Sequence, residues 1–404
     1  MTWLRNYTKE WAYADFFIAS QLLLFSWISR AIPLLVVGLI LGIFISRGTF
    51  KKDQLSFKKS TIWFFLFFIS HLLGVLWSEN LSEAWNDIGM KLSLLAIPLA
   101  LLFVKLNIRR DQLLQLFILG LVVSCVINYS YAIFRSIYNP EDNQWAYFTE
   151  SYFSFQMHRS YYAVYLVIGV IASIHEFARS RKIGFLFLGL VFGVAVVQTF
   201  SKVGILLLLL SAIPVGIYYA YRMIGSLKTS VLLLATIVIA ITVYFSSPKM
   251  QTRFEKMIGA LTSQSNQKET LESNNSRVVM WETSLELISE HPIIGSGTGD
   301  VMQVLSDRNI RNGDILLAEK KLNSHNQYLN SWVQLGLLGL LPLIMIFVTG
   351  SISAIKNKDL FYVLIVLILG ISMFFESSLE RQDGVIPITL LVIIFGMIRS
   401  PRSV

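Results

Sequence analysis

The sequence is short of charge, has a single cysteine and lacks the signatures of a soluble metalloenzyme or hydrolase. Charged residues make up 15% of the 404 and apolar ones 54%. That balance excludes an ordinary water-soluble globule and makes a bilayer the expected solvent. Cys125 lies inside an apolar run, so neither an internal disulfide nor a thiolate metal cluster is available. The five histidines, His71, His158, His175, His291 and His325, form no i, i+4 pair, and neither Asp-x-Asp nor His-Glu-x-x-His occurs. No metal and no cofactor are therefore expected. A Gly-x-Ser-x-Gly elbow is also missing. The run from Gly295 to Gly299 has neither a preceding strand nor dinucleotide-binding spacing, and reads as a turn. No internal repeat is evident, which counts against repeat-built transporter folds. The net charge is +9, yet Lys and Arg sit in short clusters between apolar runs, so membrane lipids, not nucleic acid, are the expected partner.

What the sequence does have is apolar stretches of about 16 to 25 residues, each long enough to cross a bilayer. Twelve are expected, near 13–29, 31–46, 61–77, 88–104, 112–134, 160–177, 183–200, 203–221, 229–246, 327–349, 359–375 and 385–398. The first two are split only at Ser29-Arg30, with one broken helix as the alternative that would change the count. Arg5 and Lys9 precede the first stretch with no small-residue cleavage site after it, as in an uncleaved first span. The fold class is thus an all-α integral membrane protein.

Alternate loops are basic, and such loops face the cytoplasm. They carry Arg47, Lys51, Lys52, Lys58 and Lys59; Lys105, Arg109 and Arg110; Arg179, Arg181 and Lys182; Arg222 and Lys228; and Lys356 and Lys358. Arg399 and Arg402 close the chain on the same side, which places both termini in the cytoplasm. Glu79, Glu83 and Asp87, and then Glu141, Asp142 and Glu150, mark loops on the outer side. The organisation expected is helices over 1–246, a large outer loop over 247–325 and further helices over 326–404. Loops of that length are seldom idle. Its stretch Ser263–Ser276 is polar; a helix then opens near Ser276, with Val278, Trp281, Leu285 and Ile288 on one apolar face.

Ionisable groups at membrane depth mark function, and here they gather on the outer side. Lys91 opens the fourth span and reads either as a headgroup anchor or as a site cation. His158 and Arg159 open the sixth, and Lys202 sits in the turn before the eighth. His325 and Asn326 begin the tenth, and Glu376, Glu380, Arg381 and Asp383 fill the last outer loop. Arg277 stands at a helix start, where the helix dipole disfavours a cation and an anionic partner or solvent is expected. Such a pocket suits an oligoanion, because guanidinium forks bind diphosphate oxygens in pairs. Trp281 offers a face for sugar stacking, or a place in the interfacial aromatic belt.

The block His325-Asn-Gln-Tyr-Leu-Asn-Ser-Trp-Val-Gln-Leu-Gly336-Leu-Leu-Gly339 resembles the signature of the O-antigen ligase family. Ser276-Arg277 through Trp281 to Glu290-His-Pro-Ile-Ile-Gly295-Ser-Gly297 resembles a second family segment. His158-Arg-Ser-Tyr-Tyr162, Thr199-Phe-Ser-Lys202 and the stretch from Trp77 to Lys91 are similar to others. The resemblance implies a GT-C-like membrane glycosyltransferase, metal-independent and inverting, in the bacterial inner membrane. It would take a glycan from undecaprenyl diphosphate to an acceptor sugar, the lipid A core or another glycan, on the periplasmic face. By the same resemblance Arg159 and Arg277 grip the diphosphate, Lys91 adds a cation, and His325 receives the acceptor proton. His158, Lys202, Asn326 and Trp281 are expected to bind substrate, and Glu380, from its place on the same side of the membrane, either to orient His325 or to bind acceptor hydroxyls. The family has Arg where Lys202 stands, and a point charge replaces a fork there. An O-antigen or exopolysaccharide polymerase is the nearest alternative. A secondary transporter is the more distant one, with His71, His175 and Glu176 as its few ionisable candidates.

Overall fold

The computed structural model describes residues 13–28, 32–45, 59–102, 106–139, 144–223, 225–226, 228 and 273–398. Outside them lie the expected ninth span, the polar stretch up to residue 272, the Ser29-Arg30 break, and the cluster residues Arg5, Lys9, Arg47, Lys51, Lys52, Lys58, Lys105, Glu141, Asp142, Arg399 and Arg402. Every extended regular element among the described residues is helical. In chain order these are α1 (Tyr13–Leu24), α2 (Ile32–Ile45), α3 (Lys59–Gly74), α4 (Leu81–Lys91), α5 (Ser93–Leu102), α6 (Arg110–Tyr138), α7 (Glu150–Phe153), α8 (Arg159–Ser180), α9 (Gly184–Gln198) and α10, which opens at Lys202–Leu207 and passes through a π turn at Leu208–Ala212. After the undescribed segment come α11 (Ser273–Glu290), α12 (Val301–Asn312), α13 (Ile315–Glu319), α14 (Gln327–Leu335), α15 (Leu337–Lys356), α16 (Leu360–Ser372) and α17 (Gln382–Met397).

Five described helices are long and apolar enough to cross a membrane: Leu81–Leu102, Arg110–Tyr138, Arg159–Ser180, Lys202–Met223 and Leu337–Lys356. Shorter apolar helices accompany them, and the chain is a multi-pass membrane protein. A backbone in hydrocarbon has to satisfy its own hydrogen bonds, which is why apolar sequence of this length becomes helix. The helix α8 forms the core. Within its apolar window 78% of residues are buried, against 33–50% in the other four. It packs on α6, α9, α10 and α16, and the fully buried rings of Tyr162 and Tyr165 project from it.

Ion pairs fasten one end of the bundle. Arg110 at the start of α6 donates to Asp359 at 2.7 Å, and Asp359 caps α16 by accepting from the Tyr362 N–H. Glu176 in the last turns of α8 pairs with Arg179 at 2.7 Å. The opposite end, where α8 begins and α16 finishes, carries the candidate site.

Two expectations need correcting. The stretch read as one span over 327–349 is two helices, because Gly336 has φ +61 and ends α14 before α15 begins. The apolar face expected on the loop helix also differs. Val278 and Leu285 are about half exposed, whereas Met280, Thr283, Ser284 and Ile288 are buried. Small hydroxyls make that buried face: Thr283 donates to Asn309 of α12 at 2.8 Å, and Ser284 shares a hydrogen bond with Ser324 at 2.8 Å. Counting only apolar residues along a helix misses a face whose hydroxyls are satisfied by partners.

Candidate active site

The site is assembled from three segments that arrive at the same end of the bundle. The first is the turn into α8, where His158 is the N-terminal flanking residue and Arg159 the first helical one. The second is α11, whose second turn carries Arg277. The third pairs the start of α14 with the loop after α16. Asn326 caps α14 by accepting from the N–H groups of Tyr328 and Leu329 at 3.0 and 3.1 Å, as a capping asparagine does. His325, immediately before that cap, has φ +46, a left-handed conformation costly for a residue with a Cβ. Its N–H donates to Asn323 at 3.0 Å. The Ser284–Ser324 bond next to it ties this turn to the helix that bears Arg277.

Glu376 joins the segments. Its Oε1 accepts from Arg277 at 2.7 Å and from Ser160 of α8 at 2.9 Å. Its Oε2 faces Nδ1 of His325 at 3.6 Å. The carboxylate is only 8% exposed. Burial opposes its charge, but the His325 ring, the Arg277 guanidinium and His158 outweigh that and hold its carboxyl below the ordinary 4.5. Burial lowers the His158 imidazole from its ordinary 6.5; Glu376 pulls the other way, while Arg381, Arg159 and His325 push it lower still. The Nδ1 of His158 and the Nε1 of Trp281 are buried with no partner among the described residues.

Arg277 and His325 therefore meet on one carboxylate, and His158 is near enough to feel its charge. Arg159 stands beside them but pairs with Glu150 at 3.5 Å, both groups partly exposed. Lys202 is exposed at the first position of α10.

Lys91 and Glu380 belong to a second, enclosed cluster. The Lys91 side chain is fully buried, its ammonium bonded to Asp87 and to Glu380, the latter at 2.9 Å. Glu380 also accepts from Gln327 at 2.9 Å. Burial works against the Glu380 charge, and Lys91 is the main influence holding its carboxyl below the ordinary value.

The sequence alone puts Glu376 only among the outer polar residues, and Glu380 as a partner either for His325 or for acceptor hydroxyls. Glu376 takes the place beside His325. The two lie four positions apart, and only the turns after α16 decide which one reaches the histidine. Ser160 and Gln327 carry no distinguishing pattern of their own in the sequence. Each directly follows a candidate residue, Arg159 and Asn326, and that adjacency is the available signal.

The glycine run Gly295–Gly299 docks the loop onto the bundle. The N–H groups of Ser296 and Gly297 donate to the Val333 and Gln334 carbonyls at 2.8 and 2.9 Å. Asp300 accepts from the Glu79 and Asn80 N–H groups at 2.9 and 2.8 Å. These bonds fix the end of α14 to the segment between α3 and α4. A cavity of about 160 Å³ lies nearby, lined by residues including His291, Arg308 and Val333.

Comparison with known proteins places these residues in context. Residues 184–344 match a family described as O-antigen ligase. The match takes in Arg277, His325 and the docking loop. The chain is also 27% identical over 321 residues, 76% of each protein, to an uncharacterised protein of Haemophilus influenzae.

Proposed function

We propose, from the premise that residues 184–344 form an O-antigen ligase family domain, that this chain is a membrane glycosyltransferase. It moves a glycan from undecaprenyl diphosphate to an acceptor sugar, the lipid A core, on the periplasmic face of the bacterial inner membrane. The topology that goes with this is GT-C-like, with about twelve spans, both termini cytoplasmic and the 247–325 loop periplasmic. The observation that carries the reading is the shared carboxylate, with Arg277 and His325 held on the two oxygens of Glu376.

The chemistry needs a base for the acceptor hydroxyl and cations for the departing diphosphate. The acceptor oxygen attacks the anomeric carbon, the bond from that carbon to the diphosphate oxygen breaks, and the configuration inverts. His325 takes the hydroxyl proton. With Nδ1 turned to Glu376, its Nε2 is the nitrogen left to accept. Arg277 and Arg159 meet the charge that develops on the leaving diphosphate, a stabilisation concentrated in the transition state. Guanidinium groups supply here the positive charge that a divalent ion supplies in other glycosyltransferases, consistent with a metal-independent reaction. His158, Asn326, Lys202 and Trp281 lie around the substrates, with the Trp281 indole offering both a stacking face and an N–H donor.

The test uses purified protein with a glycan-bearing lipid diphosphate and a lipid A core acceptor. His325→Ala is expected to lower turnover by about 10² to 10⁴, and Arg277→Ala to lower it comparably. Full transfer by either variant would overturn the assignment. Lengthening of the lipid-linked glycan with no transfer to the core would identify a polymerase instead.

A further inference from the structure

The buried Lys91 cluster is built differently from a ligand site. We infer that Lys91 is a positioning residue, whose ammonium holds two carboxylates in place so that they clasp the helix carrying the His325 turn. The inference rests on the glycosyltransferase reading for its catalytic consequence alone.

Gln327 and Gln334 are the first and eighth residues of α14, two turns apart and therefore on one face. Gln327 donates to Glu380 at 2.9 Å and Gln334 to Asp87 at 3.2 Å. Both carboxylates are bonded to the same Lys91 ammonium. Further bonds fix the two amides. Gln327 accepts from the Leu379 N–H at 2.7 Å, and Gln334 donates to the Thr298 carbonyl at 2.6 Å. The Gln327 N–H itself donates to the Met373 carbonyl at 2.8 Å. Near both its ends, then, α14 is held by a carboxylate whose charge Lys91 offsets, and His325 lies two residues before it.

A buried charge left without its partner is far more costly than the intact pair is beneficial. Removing the ammonium leaves two carboxylates, 12% and 16% exposed, without their shared counter-charge, and one or both must protonate or move. Either response loosens the amides of α14. Lys91, at 0% exposure, has no surface to offer a diphosphate. A cation that binds substrate needs one.

Two measurements on the full-length protein in nanodiscs test this. Hydrogen exchange is followed on the 327–335 amides in wild type, Lys91→Met and Arg277→Ala. Exchange is expected to rise at least tenfold in Lys91→Met and to stay at the wild-type rate in Arg277→Ala; wild-type exchange in Lys91→Met overturns the inference. Transfer kinetics supply the second measurement. Lys91→Met is expected to lower kcat at least tenfold with the donor KM within twofold of wild type. The neutral combination Lys91→Met, Asp87→Asn, Glu380→Gln should recover a large part of kcat. A raised donor KM with no recovery in the combination would make Lys91 a substrate-binding cation and overturn the inference. If Lys91→Met gives no monodisperse protein, Glu380→Gln breaks the clasp at one end. It is expected to raise exchange at residues 327–331, and unchanged exchange there overturns the inference equally. Exchange does not depend on the reaction catalysed, so failure of the glycosyltransferase reading would appear separately, as a wild type that does not transfer.

Discussion

Glu376 carries more of the site than any other single side chain, because it faces His325 with one oxygen and bonds Arg277 and Ser160 with the other. Glu376→Gln keeps the shape and removes the charge. The expected result is a loss of about tenfold to a hundredfold in kcat, smaller than loss of the base itself; an unchanged kcat would detach Glu376 from the mechanism. His158 and Glu376 also contribute a pH dependence of stability. His158 has a lowered value when folded, so below its ordinary 6.5 the unfolded chain takes up a proton that the folded one resists. Its contribution is complete above about 6.5 and declines below. Glu376 is depressed, so its contribution is present above the ordinary 4.5 and is lost as pH falls through its lower folded value. Thermal unfolding followed from pH 7 to pH 5 should show Tm falling with acidity, and His158→Gln should flatten that slope. Glu376→Gln should alter the slope only below about 4.5. His325 and Arg277, which share Glu376, both stand out in the sequence because each sits in a dense local pattern. Glu376 does not, because nothing near it in sequence distinguishes it from Glu380.

The α14 helix and its docking loop show where helical pattern stops being informative. From hydropathy alone, residues 327–349 form one continuous apolar stretch. The backbone breaks at Gly336 because its Cα lies against the chain at Ile293, and a Cβ there would fall 2.2 Å from that carbonyl group. With φ +61 and ψ −151, Gly336 occupies a region nearly closed to residues with a Cβ, and a side chain held there costs about 1–3 kcal/mol. Gly336→Ala combines this strain with the clash, and the expected outcome is loss of folded protein or a clear fall in Tm. Asp300 offers a milder test at the other side of the loop. Asp300→Ala would remove its hydrogen bonds to the Glu79 and Asn80 N–H groups, at about 0.5–1.5 kcal/mol for each bond. A lower Tm is expected; wild-type stability would mean that other bonds hold the loop. The hydroxyl-lined face of α11 escaped the apolar periodicity for a related reason. Its burial depends on partners at Asn309 and Ser324, which lie far along the chain.

Across the molecule, the helical membrane character follows from hydropathy and length, and a cationic pocket on one side is the expectation from where ionisable residues collect. Loop charge yields a sidedness that can be measured directly. Cys125 is the single cysteine and is buried, so the background for thiol labelling is low. Asn312→Cys, exposed at the end of α12, should react with a membrane-impermeant maleimide in intact spheroplasts. Lys182→Cys, exposed between α8 and α9, should react only after permeabilisation. The reverse pattern would invert the topology and remove the site from the periplasmic face. The central claim is that Arg277 and His325, brought together on Glu376, transfer a glycan from a lipid diphosphate. Its most direct test is single-turnover transfer from a radiolabelled glycan on undecaprenyl diphosphate to lipid A core, comparing wild type with His325→Ala. The account predicts labelled core from wild type and at least a hundredfold slower appearance from the variant; equal rates from the two would contradict it.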